Sequence, residues 1–183
     1  MKTVKSICIA LFLFTISSNA QINKGNWMVG GYANFSNTSY ESKNPDGSTN
    51  KGKASGINVS PTIGYFLANN FACGLSGNFV LSIPEQGNNV TSYGLGPFFR
   101  YYFLKPEKTI NILSQVGYYY GTSSNDSKYN NYNFKVGPVI YFNNSVGLEL
   151  TIDYSVSKSS NQFSQNTFNS LNIGFGFQIH LEK

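Results

Sequence analysis

The chain has 183 residues, with 13 Lys and Arg against 8 Asp and Glu and a formal net charge of +5. Charged residues make up only 11% and aromatics 16%, where ordinary soluble domains carry about 25% charge, so much of the surface must face something other than water. The positive excess is too mild to argue for a nucleic-acid partner, and the cysteine count of 2 excludes a disulfide-built scaffold or a cysteine-based metal centre.

The first twenty residues have the three parts of a secretory signal. Lys2 and Lys5 make a positive start, Ile7 to Ile16 form a short apolar run, and Ser17-Ser18-Asn19-Ala20 puts small residues at a cut after Ala20. The run is too short for a spanning helix, which needs roughly 20 apolar residues. A lipoprotein signal would need a cysteine at the cut, whereas Cys8 lies inside the run. Two segments are therefore expected: residues 1–20 as a cleaved leader and residues 21–183 as one exported domain, with Cys73 its single cysteine.

Beyond the leader, glycines interrupt every candidate helix, and the apolar residues recur with a period of two, which marks strands. The first strand sets Trp27, Val29, Gly31, Ala33 and Phe35 against Met28, Gly30, Tyr32 and Asn34. The second sets Ile57, Val59, Pro61, Ile63 and Tyr65 against Asn58, Ser60, Thr62 and Gly64; the third sets Phe71, Cys73, Leu75, Phe79 and Leu81 against Ala72, Gly74, Ser76 and Asn78. In the fourth, Tyr93, Leu95, Pro97, Phe99 and Tyr101 oppose Gly94, Gly96, Phe98, Arg100 and Tyr102. The fifth opposes Ile110, Ile112, Val116, Tyr118 and Tyr120 to Asn111, Leu113, Gln115 and Tyr119. The sixth opposes Tyr132, Phe134, Val136, Pro138 and Ile140 to Asn133, Lys135, Gly137 and Val139. The seventh opposes Val146, Leu148, Leu150, Ile152 and Tyr154 to Gly147, Glu149, Thr151 and Asp153. The last runs Leu171, Ile173, Phe175, Phe177, Ile179, Leu181 against Ser170, Asn172, Gly174, Gly176, Gln178 and His180.

Eight strands is an even number, and most of them reach the roughly 9–11 residues that a tilted strand needs to cross a bilayer. Short links at 68–70, 105–108 and 143–144 alternate with long polar links at 39–53, 83–89, 123–130 and 157–166. Transmembrane barrels show this asymmetry, with tight periplasmic turns and longer outer loops, which puts both termini on the periplasmic side. The fold class is thus all-β, an eight-stranded antiparallel up-and-down transmembrane barrel with a polar interior filled by side chains.

The two faces indicate which way the barrel is turned. One carries large apolar residues with aromatics toward the strand ends, as lipid contact and interfacial girdles require. The other is crowded with Gly, Ser, Asn and Thr, and all four strand charges, Arg100, Lys135, Glu149 and Asp153, fall on it. A charge facing lipid costs about 2–4 kcal/mol at the midplane, so the charged face is the lumen. Counting up from the short turns puts Lys135 level with Asp153 and lets Arg100 meet Glu149 across the lumen; His180 lies on the same face near the periplasmic end.

The chain resembles the small outer-membrane barrels of the OmpX and OmpA-barrel type. The likeness rests on Asn26-Trp27-Met28-Val29-Gly30-Gly31, on Ser60-Pro61-Thr62-Ile63-Gly64-Tyr65-Phe66, and on Gly94-Leu95-Gly96-Pro97-Phe98-Phe99-Arg100-Tyr101-Tyr102 with its echo at Val136-Gly137-Pro138-Val139-Ile140-Tyr141. Gly176, Ile179 and Leu181 resemble the Gly-x-x-apolar-x-apolar signal that the barrel assembly machinery reads, without a final aromatic and with Glu182-Lys183 trailing. The resemblance implies outer-membrane lipids and that machinery as partners, and an envelope structural or surface-contact role for the outer loops.

No enzymatic activity is expected. The one histidine, His180, is read as a packed or solvated lumen residue, since a lipid-editing barrel would need a histidine near the outer loops. Asp46 and Asp126 stand alone in loops, so no metal and no cofactor is expected. The tyrosines at 118–120 alternate between faces and read as interface girdle, not a stacking platform. The alternatives are a narrow porin-like channel, or a soluble periplasmic barrel binding a small apolar ligand.

Overall fold

In the computed structural model the described residues are 22–43, 49–124, 127–143, 145–160 and 165–182. The expected leader at residues 1–20, together with Asp46, Asp126 and Asn144, lies outside them.

Eight strands follow one another: β1 (Trp27–Lys43), β2 (Thr49–Ala68), β3 (Phe71–Pro84), β4 (Val90–Tyr102), β5 (Ile110–Ser123), β6 (Lys128–Tyr141), β7 (Val146–Ser160) and β8 (Gln165–Leu181). Each pairs antiparallel with its neighbour in sequence, and β8 returns to β1 to close the barrel. Closure removes the unpaired edge that an open sheet would leave.

The stagger can be counted. Stepping from Met28 through successive paired residues leads to Gly64, Gly74, Phe98, Gly117, Asn133, Ser155 and Ser170, yet β8 meets Met28 with His180, ten residues farther on. With about 3.3 Å per residue and about 4.8 Å between strands, that slip over eight strands tilts them by about 40° from the barrel axis. At this tilt the outward row of β8 from Leu181 to Leu171, all of it apolar at alternate positions, rises about 25 Å, the height of a transmembrane apolar band.

The outward face is apolar where the alternation requires it. Val29, Ile63, Leu75, Ile112, Ile140, Leu148 and Ile173 are all exposed on the outer wall. Aromatics edge the band at both ends: Trp27 packs edge-on against Tyr65 and Tyr101 against Phe103 near the short turns, while Tyr118 and Tyr132 pack together at the other end, their centroids 5.3 Å apart. A soluble carrier barrel would be apolar inside and polar outside; this wall has the opposite sense.

The short turns are tied by asparagine side chains. Asn70 takes the left-handed conformation at φ 66°, which asparagine tolerates, and its Nδ2 donates to the carbonyls of Tyr102 and Leu104, both at 2.8 Å. Asn143 Oδ1 accepts from the amides of Ser145 and Val146. The β4–β5 turn runs over 103–109, wider than the 105–108 link expected. Asn111 holds it, accepting from the Leu104 amide and donating to the Leu104 carbonyl.

At the other end the polar links at 39–53 and 157–166 prove to be mostly strand, a correction to the loop reading, and those at 83–89 and 123–130 are shorter than expected. The 39–53 stretch is a ladder from Ser39↔Lys53 to Lys43↔Thr49. The 83–89, 123–130 and 157–166 stretches shrink to links at 85–89, 124–127 and 161–164. Polarity marks where the wall leaves lipid, not where pairing stops: antiparallel ladders satisfy their own backbone groups whatever the side chains are.

Candidate lumen site

The lumen is layered along its axis. At the end holding the short turns, Met28, Phe66, Ala72, Phe98, Tyr102, Leu113 and Val139 project inward from six strands and are fully buried. Ile22, from the segment before β1, folds under them at 1% exposure. Its carbonyl accepts from the Asn70 amide at 2.8 Å, and Gly25 donates its amide to the Phe66 carbonyl. These side chains plug the barrel. The strand alternation groups these residues with the small polar ones because it distinguishes faces and not heights; their signal is that they sit toward the strand ends that hold the short turns and the start of β1.

His180 belongs to this plug. It is 1% exposed, and the rings of Phe66, Tyr102 and Tyr141 meet it edge-on or nearly so at centroid distances of 5.5, 6.1 and 5.6 Å. Neither ring nitrogen has a hydrogen-bond partner among the described residues.

Set among these side chains, between Phe98 and Tyr102 on β4, lies Arg100, 3% exposed. Its Nη1 is 2.5 Å from Glu149 Oε1, which reaches across from β7. Arg100 Nε donates to Gln115 Oε1 at 2.8 Å, and Nη1 to the Tyr102 hydroxyl at 3.2 Å. Gln178, with its amide oxygen turned to the guanidinium, accepts from Nη1 at 2.9 Å and Nη2 at 3.3 Å. The guanidinium also lies about 6 Å from the ring centroids of Phe98 and Tyr102. A delocalised, planar cation with five donors in a fixed fork can satisfy several acceptors in one plane while its faces lie against aromatic rings.

The second pair is looser. Lys135 and Asp153 are opposite one another in the β6–β7 ladder, with Lys135 Nζ 3.4 Å from Asp153 Oδ2. The same ammonium lies 3.4 Å from the centroid of the Tyr32 ring, whose hydroxyl donates to Asp153 Oδ2 at 3.3 Å. Arg100 with Glu149 and Lys135 with Asp153 thus form two separate contacts, and His180 stands apart from both.

Over this second pair the lumen opens into a cavity of about 300 Å³. Its lower wall carries Tyr32, Tyr119, Asn133, Lys135 and Asp153; its upper wall carries Ser92, Ser123, Ser157 and Ser159 at the end away from both described chain ends. Tyr119, inward as the alternation requires, shares a 3.0 Å hydrogen bond with Ser76. Among the described residues no group of three or more His, Cys, Asp or Glu is placed to hold a metal ion.

The residues at 176, 179 and 181 divide between faces. Gly176 points inward, where an added Cβ would come to 3.0 Å from Glu149 Oε2. Ile179 and Leu181 point outward, paired with Val29 and Trp27 of β1.

A closed eight-stranded antiparallel wall with an apolar belt outside and buried ion pairs inside defines the class: a small barrel of the outer-membrane type. Solved structures of that type share the fold. The outer membrane protein OprG from Pseudomonas aeruginosa superimposes with a TM-score of 0.52 and 14% identity, over 90% of this chain and 100% of its own. Neisserial surface protein A superimposes with a TM-score of 0.55 and 12% identity, over 85% of this chain and 97% of its own. No protein-family profile and no curated protein matches the chain.

Proposed function

We propose that this protein is a non-enzymatic integral protein of a bacterial outer membrane, exported by a leader cleaved after Ala20. Its mouth and extended hairpins then face the outside of the cell, and both ends of the mature chain lie in the periplasm. The observation that carries this reading is the outer wall: an apolar band about 25 Å tall, bounded by aromatics at both ends, matches a bilayer's hydrocarbon. In water the same wall would be one continuous apolar patch, far beyond what a soluble monomer exposes. The fold likeness to an outer membrane protein and a surface protein agrees with it.

On this reading the lumen pairs are structural, and Gly176, Ile179 and Leu181 serve recognition by the assembly machinery as the last strand docks on the first. The hairpin ladders beyond the band carry polar residues out from the membrane, where they supply surface contacts. An epitope inserted between Lys43 and Thr49, at the tip of the longest hairpin, tests the orientation. It should be labelled by a membrane-impermeant reagent in intact cells; labelling only after the outer membrane is permeabilised would overturn the reading.

A further inference from the structure

We propose that the outer wall at the far end of β6 and β7 carries a docking site for the phosphate monoester of an outer-leaflet lipid, held by Lys128, Lys158 and the side-chain amide of Asn130. This rests on the membrane reading above and adds to it one kind of headgroup at one place on the wall.

The site follows from the register. Lys128, Asn130 and Tyr132 share the outward row of β6, and Val156, Lys158 and Ser160 that of β7. Lys158 stands opposite Asn130, and Lys128 opposite Ser160, so the two lysines are diagonal neighbours on one face, about 7–8 Å apart at the backbone. Both are exposed, and their flexible four-carbon stems can bring two ammonium groups onto a single anion. Asn130 accepts at Oδ1 from the Tyr118 hydroxyl at 2.6 Å. That bond commits its carbonyl end and leaves Nδ2 as a third donor on the same face.

What these cations lack is an acid. Of the described carboxylates, Glu149 and Asp153 are paired inside the lumen, and Glu107 and Glu182 lie at the end of the short turns. Glu41 is opposite Lys51 in the β1–β2 ladder, and Glu85 stands beside Lys53, donating its amide to the Lys53 carbonyl at 2.8 Å. Among the described residues the far ends of β5 to β8 carry no carboxylate; the outward cross-strand neighbours of the two lysines, besides Asn130, are Thr122, Ser160 and Thr167.

The girdle sets the height. Tyr118 and Tyr132 pack together one outward row below Asn130 and Lys158. Two residues of a strand tilted by about 40° rise about 5 Å, which places the donors in the headgroup layer, about 5–7 Å thick on each side of the hydrocarbon. Below them Tyr132, Phe134, Ile152 and Tyr154 are exposed on the wall, where the chains of the same lipid would lie. A phosphate monoester carries close to two negative charges at neutral pH, which two lysines match. A diester, with one charge, leaves a lysine uncompensated.

The test uses the folded full barrel in maltoside micelles, with lipid retention read by native mass spectrometry and the Asn130 side-chain amide followed by NMR. Lipid A, a phosphate monoester, is compared with phosphatidylglycerol, a diester, and with inorganic phosphate, which has no chains. Retained lipid A and a saturable Asn130 shift are expected, with affinity about tenfold above that for the diester. Lys128→Gln with Lys158→Gln should weaken retention by about tenfold or more, as loss of charge-assisted hydrogen bonds does. Lys105→Gln with Lys108→Gln, at the opposite end, should leave it unchanged. Equal retention by the two double variants, equal affinity for the diester, or an Asn130 shift with inorganic phosphate at the same concentrations would overturn the proposal. Micelles have no sides, so this outcome is independent of which way the barrel faces, and the hairpin epitope tests the orientation by itself.

Discussion

Arg100 and Glu149 carry the largest single-residue stake in the lumen. Both are almost wholly buried, and removing one partner of such a pair costs about 3–5 kcal/mol because the other charge is left uncompensated. Glu149→Gln should therefore lower the urea midpoint of the detergent-folded barrel markedly, while Arg100→Met with Glu149→Leu should recover much of the loss by replacing both charges together. Equal midpoints for the wild type and Glu149→Gln would show the pair to be energetically idle. Asp153→Asn should matter less, because Lys135 keeps the face of Tyr32. Much of this was legible beforehand. A strict two-residue period assigns each charge to a face, and counting from the turns assigns it a height, which is how Arg100 and Glu149, 49 positions apart, could be set at one level. Gln115 and Gln178 were not legible as partners. A neutral amide on a lumen face looks like any other polar filler until the guanidinium it serves has a position.

At the scale of elements, the seam between β1 and β8 differs from every other. Its pairing covers only Trp27–Ala33 against Phe175–Leu181, although β1 pairs with β2 up to Lys43 and β8 with β7 down to Gln165. Above Ala33 and Phe175 the two strands part. Outward residues beside the gap, Leu171 at 71% and Phe35 at 68%, are the most exposed large apolar side chains described. Unpaired backbone is not tolerated in hydrocarbon unless water reaches it, and here water is available from behind, since Tyr32, Ser170 and Asn172 line the cavity. Alternate amides of β1 beyond Ala33, those turned toward β8, should exchange with deuterium far faster than the same-height amides of β5 and β6. Uniform protection along β1 would mean that the seam closes. The end of lipid contact near Phe35 is legible in the sequence, where apolar alternation stops. That β1 goes on pairing with β2 and stops pairing with β8 is not legible there, because polar side chains report their surroundings and not their backbone partners. The same blindness carried the loop reading over paired strand at 39–43, 49–53, 157–160 and 165–166.

For the whole molecule the question is whether anything crosses. Eight strands leave an interior just wide enough for side chains, and here the lower half is filled by Ile22, Met28, Phe66, Phe98, Leu113 and Val139, each at 0–1% exposure, packed around the Arg100 cluster. The layer is close-packed: buried polar groups such as Asn111, Gln178 and His180 are set among the apolar ones, and a hydrated ion would have to shed its water to enter. The barrel is thus a cup with a closed floor rather than a pipe. Reconstituted in a planar bilayer, the wild type should show no steady conductance in salt, and trimming the floor with Phe98→Ala and Met28→Ala together should admit water and raise leak events. Steady unitary currents from the wild type would refute the closed floor and restore the narrow-channel reading. The cup also explains why the polar cavity can exist in so slender a barrel. With the floor and the Arg100 cluster holding the wall together from below, the upper lumen can stay open and lined by serine and asparagine, and a solute that enters there has to leave by the same mouth.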